Sequence, residues 1–259
     1  MSRTMRGEVQ PLNPARQGDP YGVPLASLLD VKQASEDARR GFVRKVYGLL
    51  SVQMLLTLLV ALPFQFLDTE WLGNNVWLVW LSTAMTLGLA CALSCSPGLA
   101  RTYPTNEICL FMFTAFEGVL VGFVSAAFPW QSVFLAAGIT VTIVLSLTVY
   151  AFFTSTDFTG LGIYLFAALL VVVLFGLVVV ILSAFGVNFQ WLTVTYNLLG
   201  ILVFMVYIIF DTQLILGSWG GHQHEFSLDD YVFATLTLYL DVINLFLHVL
   251  SALNGGRGD

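Results

Sequence analysis

The chain has 259 residues, 58% of them hydrophobic and only 10% charged, with a mean hydropathy of +0.84. Soluble domains carry about 25% charged residues, so the composition excludes a water-soluble globule and predicts an all-α, polytopic membrane protein. The net charge of −6 offers no basic surface for nucleic acid, because eight of the ten Lys/Arg lie before Val46.

In chain order, residues 1–45 are polar and carry Pro11, Pro14, Pro20 and Pro24. They read as a disordered tail that closes in a short amphipathic segment, from Ser35, lying on the membrane. No short apolar core of a signal peptide occurs there, so the first span is expected to act as an uncleaved anchor. A span needs about 20 apolar residues, and seven such stretches follow, at 46–67, 72–95, 107–128, 131–152, 161–185, 191–216 and 231–251. They form a membrane domain over 46–252, with a short tail at 253–259. The breaks carry turn residues: Gly73-Asn74-Asn75, Ser96-Pro97-Gly98, Pro129, Gly160, Gly186 and the run from Gly217 to Gly221. Cys91, Cys95 and Cys109 fall in or beside apolar segments and match neither a disulfide framework nor a zinc site. No internal repeat is visible, which argues against inverted-repeat transporters.

Arg39, Arg40, Arg44 and Lys45 crowd the first span, so the N-terminus is expected in the cytosol. Seven spans then place the C-terminus on the far side. Trp71, Trp130 and Trp191 all fall at far-side junctions, where interfacial aromatics belong.

Three acids lie inside apolar stretches: Glu117, Asp211 and Asp241. A charge at the bilayer centre costs about 2.5–3.5 kcal/mol on insertion scales, so such groups face a bundle interior or a wet cavity and mark an ion or proton path. At 1.5 Å per residue, Glu117 lies about 15 Å, Asp211 roughly 8 Å and Asp241 about 15 Å from the cytosolic surface. No Lys, Arg or His shares that depth in this reading. The acids must then be protonated, share protons or bind a mobile cation. Thr237, Asp241, Asn244 and His248 form one helical stripe, and Asn197, Gly200, Tyr207 and Asp211 another. Glu117 precedes Gly118 and Gly122, which permit close helix approach. Asp211 and Asp241 are the expected pH sensor and gate, and transient ligands for Ca²⁺, because carboxylate oxygens suit that ion. Glu117, Asn244, Thr237 and Tyr207 are pore or cation-path candidates. His248 is expected to be an interfacial side chain. Ser227 is a helix-cap candidate beside Asp229 and Asp230.

The runs Tyr207-Ile-Ile-Phe-Asp211-Thr-Gln-Leu-Ile-Leu-Gly217, Phe226-Ser-Leu-Asp-Asp-Tyr-Val-Phe-Ala234 and Leu238-Tyr-Leu-Asp241-Val-Ile-Asn-Leu-Phe246 resemble the signature of the Bax-inhibitor/lifeguard family. Tyr103-Pro-Thr-Asn106, Phe113-Thr-Ala-Phe-Glu117-Gly and Leu147-Thr-Val-Tyr-Ala151 through Thr156-Asp-Phe-Thr159 resemble its other blocks, so the likeness covers about residues 36–250. The resemblance implies a seven-helix bundle with the last helix central, leaking Ca²⁺ in a pH-sensitive way. It implies that Asp211 and Asp241 form a proton-sensing pair on the cytosolic side of the pore. Some members add an arginine from the second span, and Arg101 is the candidate here. Many members carry a Lys where this chain has Thr154-Ser155-Thr156, a departure that leaves Asp157 without that charge partner. The resemblance further implies a eukaryotic, lifeguard-type protein of the endoplasmic reticulum, Golgi or another internal membrane that suppresses cell death. Its partners would be lipid, Ca²⁺, protons and cell-death regulator proteins, with no tightly bound cofactor and no enzymatic activity.

Two rivals remain on the same residues. A Ca²⁺/H⁺ exchanger would use the same acids. An intramembrane aspartyl protease needs Gly-x-Gly-Asp at its second aspartate, whereas Leu238-Tyr239-Leu240 precede Asp241 and no proline follows Pro129.

Overall fold

The computed structural model describes residues 25–187 and 189–255, with side chains described from Ser35 onward except at Pro97. Residues 1–24 of the expected tail and 256–259 of the C-terminal tail lie outside the described residues. Nine α-helices are described: α1 Leu25–Ala61, α2 Thr69–Asn74, α3 Trp77–Cys95, α4 Pro97–Arg101, α5 Thr105–Ala126, α6 Trp130–Phe153, α7 Gly162–Ala184, α8 Gln190–Leu216 and α9 Tyr231–Gly255. Seven are long and apolar enough to cross a membrane, and no strand occurs among the described residues. The protein is an all-helical, polytopic membrane protein.

The expected boundary at residue 45 is not a break. The helix is continuous from Leu25 to Ala61, so the stretch from Ser35 is the first turns of the span and not a separate surface helix. Arg39, Phe42, Val43 and Val46 are buried, because this stretch packs against the ends of α8 and α9 instead of on lipid headgroups. At its other end α1 tightens into a 3₁₀ turn, Leu62–Phe66, which carries Pro63; proline has no N–H to continue the ladder. The second predicted span is divided at Gly73-Asn74-Asn75 into α2 and α3. At the far end of the last span, α9 runs on to Gly255.

The last helix is the axis of the bundle. Just over half of its apolar window is buried (56%), against 11% for α6, and α8, α6, α1 and α5 all pack on it. Helix α7 packs on the bundle chiefly through α8, and most of its side chains face outward. Since lipid tails are as apolar as leucine, close packing and interhelical hydrogen bonds must hold spans together. Glycines supply the packing. A Cβ on Gly118 would lie 2.9 Å from Val60 Cβ, and one on Gly122 would lie 2.5 Å from the Phe64 ring. That is the close approach of α5 to α1 expected from their spacing.

Gly200 does the same for α8 and α9, because the imidazole of His248 fills the place a Cβ would take. His248 is buried, stacks on Phe204, meets Tyr196 edge-on, and its Nδ1 lies 3.2 Å from Asn197 Oδ1. This corrects the interfacial placement of His248: it is an inter-helix wedge. Gly200→Ala is expected to lower stability by about 1–3 kcal/mol through overpacking, read as a drop in thermal midpoint in detergent micelles.

Candidate functional site

Among the described side chains, the basic residues Arg39, Arg40, Arg44, Lys45 and Arg101 cluster at one end of the bundle, formed by the start of α1, the α4 region and the loops at 154–161 and 217–230. At that end Asp211 of α8 and Asp241 of α9 come within hydrogen-bonding reach of one another. Both are buried, 4% and 5% exposed. The two Cα positions differ by roughly 7 Å in distance from the basic end, counted along their helices. Side chains close that gap because a Cα–Cβ bond tilts toward its helix N-terminus. Helix α8 runs toward the basic end, so Asp211 leans inward; α9 runs away from it, so Asp241 leans back to meet it. Thr237, one turn before Asp241, lies beside Asp211, with its hydroxyl donating to the Ala234 carbonyl at 3.2 Å. Tyr207 lies within electrostatic range of both carboxyls. Asp241 Oδ2 is buried with no hydrogen-bond partner among the described residues. It is an acceptor whose lone pairs no described donor satisfies.

The other candidates are placed differently. Asn244 turns to its own helix, donating to the carbonyl of Leu240 at 2.8 Å. Glu117 does not join the aspartates. It lies near Tyr239, whose hydroxyl is 2.7 Å from Thr57 Oγ1, beside the Gln53 Nε2 to Thr114 Oγ1 bond of 2.7 Å. That network is on the α1/α5 side of α9, because Tyr239 and Asp241, two residues apart, point to opposite sides of the helix. Among the described residues, no group of three or more His, Cys, Asp or Glu could hold a metal ion. Arg101 does not reach the pair either. Its guanidinium makes a fork-shaped bond to Asp230, Nε to Oδ1 at 2.8 Å and Nη2 to Oδ2 at 3.0 Å. The gate-arginine assignment is corrected: Arg101 ties α4 to the turn that opens α9. Ser227 sits at the cap position of that turn without a side-chain capping bond.

Several residues at the basic end were not singled out by sequence. Arg39, only 4% exposed, donates to the carbonyls of Leu214 (2.7 Å), Leu216 (3.3 Å) and Phe226, and its Nη2 lies 3.7 Å from Glu225 Oε2. It satisfies the last carbonyls of α8, which have no intrahelical partner, within a turn of Asp211. The absence of a fixed cation near that depth is thus corrected at the end of α8. The chain turns away at Gly217, φ 54°, a left-handed conformation that favours glycine. Gln213, fully buried, accepts from the Phe158 N–H at 2.7 Å and donates to the Thr156 carbonyl at 2.9 Å. Tyr47 donates to Thr212 Oγ1 at 3.3 Å. One signal was available for part of this group: Asp211-Thr212-Gln213 are consecutive polar residues, so no single face can hold them and the whole turn must be enclosed.

Asp157 has partners despite the missing lysine. It accepts from Thr159 Oγ1 and N, at 2.7 and 2.9 Å, and from Gln223 N at 3.1 Å, with His222 Nδ1 3.7 Å away. The Thr159 hydroxyl above all holds its carboxyl below the usual range. The Ser218 N–H does the same for Glu225. Burial pushes His222 down, opposed by Asp157. All three shifts have one sign. A depressed carboxylate contributes stability above its ordinary range and loses it as pH falls through the folded value. A depressed histidine contributes fully above about 6.5, its ordinary value, and loses stability on protonation. The 217–227 loop should therefore loosen on acidification. Amide-exchange protection at 217–224 is expected to fall between pH 7.5 and 5.5 in the wild type and to fall much less in His222→Gln.

A seven-span bundle whose last two helices bring together two buried aspartates, under a cap of loops and a buried arginine, defines a membrane protein built around an enclosed acid pair. A model of the family "Inhibitor of apoptosis-promoting Bax1" matches residues 39–258. The chain is 33% identical to Protein lifeguard 3 of Homo sapiens over 214 residues, covering 82% of this chain and 68% of that protein. It is 32% identical to Protein LIFEGUARD 4 of Arabidopsis thaliana over 235 residues, covering 87% and 89%. The protein belongs to the Bax-inhibitor/lifeguard family of membrane proteins, whose name records inhibition of apoptosis.

Proposed function

We propose that the protein is a pH-sensitive Ca²⁺ leak channel of an internal membrane, with the capped end in the cytosol and the C-terminus on the far side. The observation that carries this reading is the contact of two buried carboxyls on facing spans, one of them with an unpartnered oxygen. A proton shared by the two removes one charge and ties α8 to α9. Loss of that proton leaves two anions in a medium where like charges cannot rest together. They separate, or a divalent cation takes the proton's place on hard oxygen ligands. The pair titrates as a unit, with values that belong to neither residue alone. Thr237 and Tyr207 would contribute oxygens along the same seam, with Ca²⁺ as the permeant ion, protons setting the state of the pair, and no resident cofactor. Leak of this kind would link the protein to Ca²⁺ homeostasis and to the suppression of cell death, alongside cell-death regulator proteins as partners. The high basic charge of the N-terminal segment supports the cytosolic orientation, and residence in the endoplasmic reticulum or Golgi is part of the same proposal.

A Ca²⁺/H⁺ exchanger is the second reading, favoured by the same shared-proton contact. The test is Ca²⁺ flux into dye-loaded liposomes carrying purified protein, across pH 5–8, with internal pH and membrane potential followed together. Electrogenic flux without proton counter-movement, varying with pH, supports the leak. Obligatory proton counter-movement selects exchange, and no protein-dependent Ca²⁺ flux at any pH overturns both.

A further inference from the structure

On the face of α9 away from the aspartates, in the half of the bundle remote from the cap, lies a slot of about 460 Å³ between α1, α5, α6 and α9. Ala137, Val141, Ile243 and Phe246 are among the apolar side chains that line it. Trp130 and Val141, near its two ends, lie roughly 16 Å apart along α6 at 1.5 Å per residue. It is an elongated space that follows the spans. Phe134 and Val141 are also exposed on the outer surface of the bundle, so the slot opens sideways to what surrounds the spans, which is lipid.

Thr57, Ser125 and Thr140 also line the slot, but their hydroxyls donate to carbonyls of their own helices. Gln65, in the 3₁₀ turn after α1, lines the slot at the end remote from the cap, and its Nε2 is buried without a hydrogen-bond partner among the described residues. A buried amide donor left unpaired costs about 1–3 kcal/mol, so an acceptor is missing from the picture. Trp130 marks the same end, at the level where membrane-interface tryptophans sit. No Lys, Arg or His lines the slot, so nothing there would neutralise a carboxylate.

We propose that the slot holds one acyl chain of a bilayer glycerophospholipid, with its ester carbonyl accepting from Gln65 Nε2 and its methyl end reaching toward Val141 and Val242. The headgroup stays outside at the interface. A free fatty acid would bring an unmatched anion to Gln65, because no Lys, Arg or His lines the slot. The proposal rests on packing and hydrogen bonding alone and stands apart from the ion-flux reading.

The test uses the full chain in phosphatidylcholine liposomes doped with phosphatidylcholine bearing a diazirine in mid-chain, photolysed and mapped by mass spectrometry. Adducts are expected to concentrate on Val141, Val242 and Phe246, several-fold above those on Leu174 and Val178 of the outward face of α7. In Ala137→Trp, which fills the slot, the excess is expected to vanish while α7 labelling holds. In Gln65→Leu, which keeps the volume but removes the donor, the excess is expected to fall several-fold. Equal labelling of slot and α7 in the wild type overturns the proposal, even where Ala137→Trp does not fold. So does an excess that survives both substitutions. Stronger slot labelling by a diazirine palmitate or a diazirine sterol at equal concentration overturns the phospholipid assignment.

Discussion

Asp211→Asn and Asp241→Asn are each expected to flatten the pH dependence of Ca²⁺ flux, bringing the ratio between pH 5.5 and pH 8 to within about twofold, roughly the 0.3–0.5 kcal/mol scatter of independent effects. Each substitution keeps the shape of the side chain and removes its ionisation. The remaining carboxyl then has a neutral amide for a neighbour, and neither proton sharing nor mutual repulsion survives. Because the two residues act as one unit, the double variant is expected to resemble either single variant, with a coupling of about 0.5–3 kcal/mol in a double-mutant cycle. Two additive effects would mean that the carboxyls work separately. Unchanged pH dependence in both single variants would remove the pair from the gate, whatever flux the protein supports. Glu117→Gln is the control: Glu117 lies with Tyr239 on another side of α9, so the pH profile should keep its shape.

Arg39→Ala should be the most destabilising single change at the capped end, by about 3–5 kcal/mol, because it strips a buried hydrogen-bonded charge from its partners. The guanidinium serves the carbonyls of Leu214, Leu216 and Phe226 together. Those carbonyls belong to two different segments, the end of α8 and the loop before α9, so one side chain staples both to α1. Lysine is a single compact donor group without the planar fork, so Arg39→Lys should recover only part of the loss. The measurement is thermal unfolding in micelles, with amide exchange at 214–227 as the local readout. A stability change below about 1 kcal/mol in Arg39→Ala, the scale of an exposed ion pair, would show that the arginine is not a staple.

The contrast between Asp211 and Arg39 marks how far sequence reasoning reaches. Asp211 stood out because its neighbours are apolar: a carboxylate in Ile208-Ile209-Phe210-Asp211 has a large expected cost in lipid, so its burial inside the bundle could be inferred without coordinates. Arg39 sits in a run of charged residues, Glu36-Asp37-Ala38-Arg39-Arg40, where an exposed role is the ordinary reading. Its burial depends on where the end of α8 falls relative to α1, which is a matter of helix packing. The same holds for Arg101. Chain order puts it at the cytosolic end of the second span, yet only the packing of α4 against the start of α9 decides that it faces Asp230 and not the aspartate pair.

By itself, the sequence determined the class of protein, its seven spans, the ends of most of them and the enclosure of Asp211 and Asp241 within the bundle. Those conclusions rest on local costs: apolar length against bilayer thickness, glycine and proline at breaks, and charge in hydrocarbon. Only the tertiary structure decided that Glu117 stands apart from that pair, that His248 is a wedge over Gly200, that the first span begins before residue 45, and that an apolar slot lies behind the last helix. Each of these depends on which face of one helix meets which face of another. Between helices that are apolar nearly all round, hydrophobicity does not choose the facing surfaces. Small-residue packing and a few interhelical hydrogen bonds do, and their geometry exists only once the bundle is assembled.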